Sequence, residues 1–357
     1  MKILIFTGRF GLGHYSVSEA IKQEINNTNS NIEVEIIDIL DYLMPKASEL
    51  IYKSFNVLVT KWSNLYNFIN TNNEENNIKT FNYIFVKKID KLLEEYKPNI
   101  IISTLPISSQ YISKYKSIKK SNIPLFTFIT DISSHNEWIH KNTDFYFVGD
   151  ISIKRSLINK GISESKIIVT GIPVKQQFKN NVIEFNKKKT KEILIMGGGL
   201  GLISFNEDLF NKLNNEKDIK TTIITGNNRS MYEELKSKYK NINVIGYTNK
   251  INEYMRNADL IVSKSGGITL FEAIYSETPI YVVNPFLMQE VKNARFIEER
   301  GIGQVVWNEK DDITDDILSI INDDESIEIM KNNMKKIKEN VNQEEILRII
   351  NRFGKEA

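Results

Sequence analysis

Short apolar runs that end in glycine or a polar cluster recur along this chain, and the recurrence narrows its folds more than any single motif. Lys2 to Thr7 runs into Gly8-Arg9-Phe10-Gly11-Leu12-Gly13-His14, Ile100 to Thr104 into Leu105-Pro106, and Pro124 to Thr130 into Asp131. Further on, Glu192 to Met196 precedes Gly197-Gly198-Gly199, Asn243 to Ile245 precedes Gly246-Tyr247-Thr248, and Leu260 to Val262 precedes Ser263-Lys264-Ser265-Gly266-Gly267. The runs lack strict alternation, as expected of strands buried on both faces of a parallel sheet. In such a sheet every loop that follows a strand emerges at one edge, where doubly wound proteins bind ligands. The predicted class is α/β, with two Rossmann-like doubly wound domains facing across a cleft. Residues 1–174 make the first domain, the basic, aperiodic stretch 175–190 a linker, and residues 191–357 the second, with a last helix that can cross back to the first.

Composition sets the outer limits. A length of 357 residues exceeds the usual single core, which agrees with two domains. A net charge of +2 argues against a protein dedicated to nucleic acid. The absence of cysteine excludes disulfides and thiolate chemistry. No apolar run is long enough to span a bilayer, and Met1 to Arg9 is too short for a signal peptide. The expected setting is cytoplasmic, soluble or peripheral.

Three stretches carry chemistry. Ser263 to Ala273 joins a strand to a helix start, where free N–H groups and the helix dipole attract anions, glycine permits close approach, and Lys264 adds charge. The plain alternative is a tight turn capped by serine. Gly11-Leu12-Gly13-His14 makes a second such junction, but Ser16 stands where a dinucleotide fingerprint needs glycine, so a nicotinamide enzyme is disfavoured. At a helix start the dipole disfavours a protonated His14, and a neutral imidazole can serve as a general base; otherwise it caps or packs. Asp131, His135 and Trp138 emerge together at a strand end and suit a hydroxylated acceptor, or a capped turn over a packed indole. Asp38 and Asp41 lack a third metal ligand and read as solvated or capping acids. Residues 42–70 interleave aromatics with lysines, so Phe55 and Trp62 can contact a membrane interface, or face a core. Residues 71–77 read as a polar loop.

Taken in order, Gly11 to His14, Thr130-Asp131 with His135 and Trp138, Gly171-Ile172-Pro173-Val174, Gly197 to Gly199, Gly246 to Asn249, and Ala258 through Ser265-Gly266-Gly267 and Glu272-Ala273 to Gln289-Glu290 and Asn293 resemble one family. It is the GT-B glycosyltransferases that include bacterial diacylglycerol glucosyltransferases and plant monogalactosyldiacylglycerol synthases; the peptidoglycan lipid II transferases are similar more distantly. The match spans nearly the whole chain and is sparsest in the first domain.

The resemblance implies an inverting, metal-independent transfer of a hexose from a UDP-sugar to a diacylglycerol-type lipid at the membrane surface. A soluble acceptor, or a UDP-sugar binder or 2-epimerase, is the alternative. It assigns His14 as base with Asp131 as its rival, Gly11, Gly13, His135 and Trp138 to the acceptor, and Gly246 to Thr248, with Tyr247 beside the ring, to uracil. Glu272 would take the ribose hydroxyls; Gly199, Lys264, Ser265, Gly266, Gly267 and Thr269 the diphosphate; Gln289, Glu290 and Asn293 the sugar. The implied partners are the UDP-sugar and the lipid, with no nucleic acid and no cofactor or metal, on the inner face of the cell membrane. Two departures stand out: Ser265 occupies a place where the lipid-galactosyl relatives usually carry proline, and Met288 one where glycine usually precedes Gln-Glu.

Overall fold

A computed structural model describes residues 1–10, 13–61, 82–179, 190–198, 201, 207–308 and 313–355. They form two units, one of residues 1–176 with 341–357 and one of residues 177–340. The division falls inside the stretch expected to be linker, of which residues 180–189 lie outside the described residues. Among the described residues no helix is long and apolar enough to cross a membrane.

The first unit holds a parallel sheet of Lys2–Thr7 (β1), Glu33–Asp38 (β2), Ile100–Ser103 (β3), Leu125–Phe128 (β4), Phe145–Val148 (β5) and Ile167–Val169 (β6), in the order β2-β1-β3-β4-β5-β6. Ile3, Leu4, Ile5 and Phe6 are all fully buried, which explains why β1 reads as one continuous apolar run. Strand order reverses between β1 and β3, whose pairing sets Ile3 opposite Ile100 and Phe6 opposite Ser103. The helix Gly13–Thr28 leaves β1 and buries Val17, Ala20, Ile21 and Ile25 on the sheet. β2 stops at Asp38. The Asp38 carboxylate accepts from the N–H groups of Leu40 and Asp41 and so begins the short helix Ile39–Leu43 instead. Two helices that periodicity did not announce, Pro106–Lys119 and Ile151–Asn159, cover the sheet. The last helix, Glu344–Lys355, belongs to this unit and packs Phe353 edge-on against Phe126 and Phe145, at centroid separations of 5.4 Å and 5.9 Å.

The second unit repeats the plan with Lys191–Met196 (β7), Ile219–Ile224 (β8), Asn243–Ile245 (β9), Leu260–Ser263 (β10), Ile280–Val283 (β11) and Gly303–Val306 (β12), ordered β12-β11-β10-β7-β8-β9. Its order reverses between β7 and β10, so the crevice that doubly wound sheets offer to ligands opens beside Gly197-Gly198 and Lys264 to Gly267. Ile195, Val262, Tyr281 and Ile317 anchor its core. Gly303 is required by packing. A Cβ there would lie 1.9 Å from the Ile280 carbonyl oxygen, the residue it pairs with in the sheet. Gly303→Ala is expected to cost about 2 kcal/mol or more, or to prevent folding, as read by thermal denaturation.

Candidate active site

His14 sits in the first turn of the helix after β1, at the point where the first sheet reverses order. Its Nδ1 lies 2.9 Å from the Thr104 carbonyl oxygen, at the end of β3, and 3.0 Å from the Thr130 hydroxyl, past the end of β4. A carbonyl oxygen only accepts, so Nδ1 carries the proton and donates it to Thr104. Nε2 is then the basic nitrogen. Close packing holds the ring neutral by penalising the cation and lowers its pKa to about 4, with the Thr104 bond as a smaller opposing effect. Hydroxyls brace the carbonyl's residue: Thr104 Oγ1 donates to Thr7 Oγ1 at 2.9 Å and meets Ser18 Oγ at 2.9 Å, and Ser18 Oγ donates to the His14 carbonyl at 3.1 Å.

Asp131 follows Thr130 and is half-buried. His135, also half-buried, immediately precedes the turn Asn136–Trp138. Trp138 is only 2% exposed, its ring centroid 6.4 Å from that of His14, so its indole backs the imidazole rather than offering a free face. The loop is tethered by Lys160, whose ammonium donates to the Ser134 carbonyl and to Asn136 Oδ1. Of the remaining acceptor candidates Gly13 opens the His14 helix, while Gly11 lies outside the described residues. Phe55 falls on the helix Ser48–Lys61 with its side chain outside the described residues, and Trp62 and residues 71–77 lie wholly outside them.

The acids Asp38 and Asp41 are engaged by side chains. Arg9 forms two bonds to Asp41, at 2.8 and 2.9 Å, a 3.3 Å bond to Asp38 and a 3.1 Å bond to Glu49. Its guanidinium also lies 4.9 Å from the Tyr52 ring centroid, and the Tyr52 hydroxyl donates to Asp38 at 2.6 Å. This cluster joins the loop that leads to His14 to the helix Ser48–Lys61.

In the second unit the helix Gly267–Ser276 follows β10 with Gly266 at its N-cap and no side-chain cap. The plain alternative of a serine cap therefore does not hold. Ser265 is buried, its hydroxyl donates to the Glu290 carbonyl at 2.8 Å, and its own carbonyl accepts from Asn293 Nδ2 at 2.7 Å. With the serine committed elsewhere and glycine at the N-cap, the first-turn N–H groups near Gly267 and Thr269 receive no cap from the N-cap side chain. Gly266 has an ordinary φ of −69°, and a Cβ there would find Thr269 Oγ1 at 3.7 Å, a normal contact. Among the described residues nothing demands glycine at this position.

Lys264 stands beside this helix start, its Nζ 4.4 Å from the Phe286 ring centroid and 4.0 Å from Glu290 Oε1. Burial lowers its pKa from the ordinary lysine value, and Glu290 works in the opposite direction. Glu290 is buried and Asn293 fully so, at the start of the helix Met288–Glu299, and Gln289 is partly open beside them. Glu272 is buried in the second turn of its helix. Gly199 lies outside the described residues. At the ends of β8 and β9 a cavity of about 580 Å³ is lined by Gly226, Asn227, Arg229, Tyr232, Gly246 and Tyr247, with Tyr247 65% exposed.

Comparison with known proteins fits this architecture. Residues 14–174 match the family model of monogalactosyldiacylglycerol synthase, and residues 192–346 that of the glycosyltransferase family 28 C-terminal domain. The chain is 30% identical to a processive diacylglycerol beta-glucosyltransferase of Bacillus licheniformis over 94% of its own length and 90% of the relative's. The chain belongs to the diacylglycerol glycosyltransferase family. Its fold is GT-B. The MurG structure of Acinetobacter baumannii superimposes with a TM-score of 0.65 at 12% identity, covering 99% of both chains. A UDP-GlcNAc 2-epimerase of Neisseria meningitidis does so with a TM-score of 0.60 at 18% identity, covering 97% of this chain and 98% of that one. In this diacylglycerol glycosyltransferase family member, sequence reading passed over Thr104, Ser18 and Phe286. Thr104 carried one available signal, a polar residue closing the apolar run from Ile100.

Proposed function

We propose that this chain is an inverting, metal-independent enzyme that transfers a hexose from a UDP-sugar to a diacylglycerol-type lipid, acting peripherally on the cytoplasmic face of the membrane. The observation that carries the reading is the His14 ring, neutral and fixed through Nδ1, with Nε2 as its basic nitrogen. The lipid hydroxyl oxygen attacks the anomeric carbon as His14 Nε2 takes its proton. The bond from that carbon to the diphosphate oxygen breaks, and its electron pair leaves with the nucleoside diphosphate. A single displacement inverts the anomeric centre. Asp131 is the rival base or an orienter of the acceptor hydroxyl.

The leaving group gathers negative charge, and the uncapped start of the helix Gly267–Ser276 together with Lys264 suits that charge. Those donors can supply the stabilisation a divalent ion supplies elsewhere. The buried Ser265 side chain leaves only its backbone N–H to offer a phosphate. Glu272 would take the ribose hydroxyls, the cavity beside Tyr247 the base, and Gln289 the sugar, with Glu290 and Asn293 chiefly shaping the loop that receives it. The names of the relatives support the lipid acceptor and glucose as the first sugar to try.

A panel of radiolabelled UDP-hexoses incubated with total lipid extract, with and without EDTA, tests the proposal. Label in the organic phase, undiminished by EDTA, is the expected result. Label confined to an interconverted nucleotide sugar would favour the 2-epimerase instead, and loss with EDTA would end the metal-free mechanism.

A further inference from the structure

Two oxygens converge on Nδ1 of His14, and they differ in kind. The Thr104 oxygen belongs to the main chain, at the end of a buried strand, and no substitution removes it. The Thr130 oxygen belongs to a side chain, 5% exposed, carried two residues past β4 and immediately before Asp131. Since Thr104 already receives the Nδ1 proton, the Thr130 hydroxyl is left to share it as a second acceptor, its own hydrogen turned elsewhere. Beyond the covalent tether at Cβ and the Trp138 ring, the Thr104 bond restrains rotation about Cβ–Cγ from one strand only. A second acceptor on another strand's loop fixes the ring plane, and with it the direction of the Nε2 lone pair.

We propose that Thr130 is a positioning residue of the transfer reaction: its hydroxyl, with the Thr104 carbonyl, orients the His14 ring and stabilises the imidazolium that forms when Nε2 takes the acceptor's proton. The proposal rests on His14 being the base. It adds that the loop carrying Asp131 and Trp138 meets the base through this hydroxyl as well as through the Trp138 ring. When the ring becomes cationic the Nδ1–H bond to both oxygens strengthens, which is where a group absent from the acceptor site can still lower the barrier.

Thr130→Val keeps the shape and removes the acceptor; Thr130→Ser keeps the acceptor and removes the methyl. The expected result for the valine variant is a kcat roughly tenfold lower at unchanged KM for the UDP-sugar, with serine restoring most of it. A second readout is direct. The chain has three histidines, so ¹⁵N-labelled protein gives few ring signals, and His14→Ala identifies one of them. Wild type should show a neutral ring protonated at Nδ1. In the valine variant that proton's resonance should move upfield while the thermal melt stays put, and in the serine variant it should return. Wild-type kcat in Thr130→Val, a lowered kcat with an unmoved His14 signal, or an equal loss in Thr130→Ser would each overturn the role. An active His14→Ala would sink the base assignment itself, whereas an inactive His14→Ala beside a fully active Thr130→Val would sink only Thr130.

Discussion

His14→Ala is expected to bind the UDP-sugar within about twofold of wild type and to turn over roughly a hundredfold more slowly or worse. The donor contacts proposed above all lie in the second unit, while the lost imidazole belongs to the first. Isothermal titration with UDP and steady-state kinetics with the lipid acceptor separate the two effects; turnover that survives would move the base to Asp131. The pH dependence sharpens the expectation. The folded ring stays neutral down to about pH 4, whereas an ordinary histidine titrates near 6.5. Between these values the unfolded chain binds the extra proton, so lowering the pH through this window costs stability rather than switching the base off. The kcat/KM profile should therefore run through pH 6.5 without an inflection from His14, and the melting temperature should fall as the solution is acidified below that point. An inflection near 6.5 that disappears in His14→Ala would show the ring to be hydrated, against its placement here.

Gly266→Ala should produce the second large effect, in the opposite partition. The backbone angles there suit any residue and the added methyl meets nothing nearer than Thr269 Oγ1, so the protein should fold and melt as wild type. If the diphosphate comes down onto the helix start, the methyl occupies the approach, and donor affinity should fall by roughly tenfold to a hundredfold. Equilibrium binding of UDP reads this without any acceptor or turnover. Unchanged affinity would mean that the anion lies elsewhere, with Gly198, at φ 67° and unencumbered, the next position to probe. Gly303→Ala is the contrasting control, since its methyl collides with the sheet itself.

Much of the fold was legible because parallel strands buried on both faces leave uninterrupted apolar runs. β1, β7, β9 and β10 lie within a residue of the apolar runs that suggested them. Helices rich in serine, lysine and tyrosine, such as Pro106–Lys119, were not legible, since Ser108 and Ser109 are buried by bonding to Ser103 and Thr127 rather than by being apolar. At the candidate site the residue types were readable and their bonding was not. Which nitrogen of His14 is basic depends on a carbonyl 90 residues away, and the fate of the Ser265 hydroxyl on one 25 residues away. Such partners become neighbours only through strand order, which local spacing does not encode.

The return of the last helix to the first unit bears on how the protein is made. The second unit is one uninterrupted stretch, residues 177–340, and can complete its sheet as soon as that stretch has left the ribosome. The first unit must wait for residues 341–357, which bring Phe353 onto Phe126 and Phe145. A nascent chain halted just before Val341 would carry a finished second sheet and a first sheet with one aromatic face still uncovered. The unit that holds the proposed base is thus the last to be completed during synthesis.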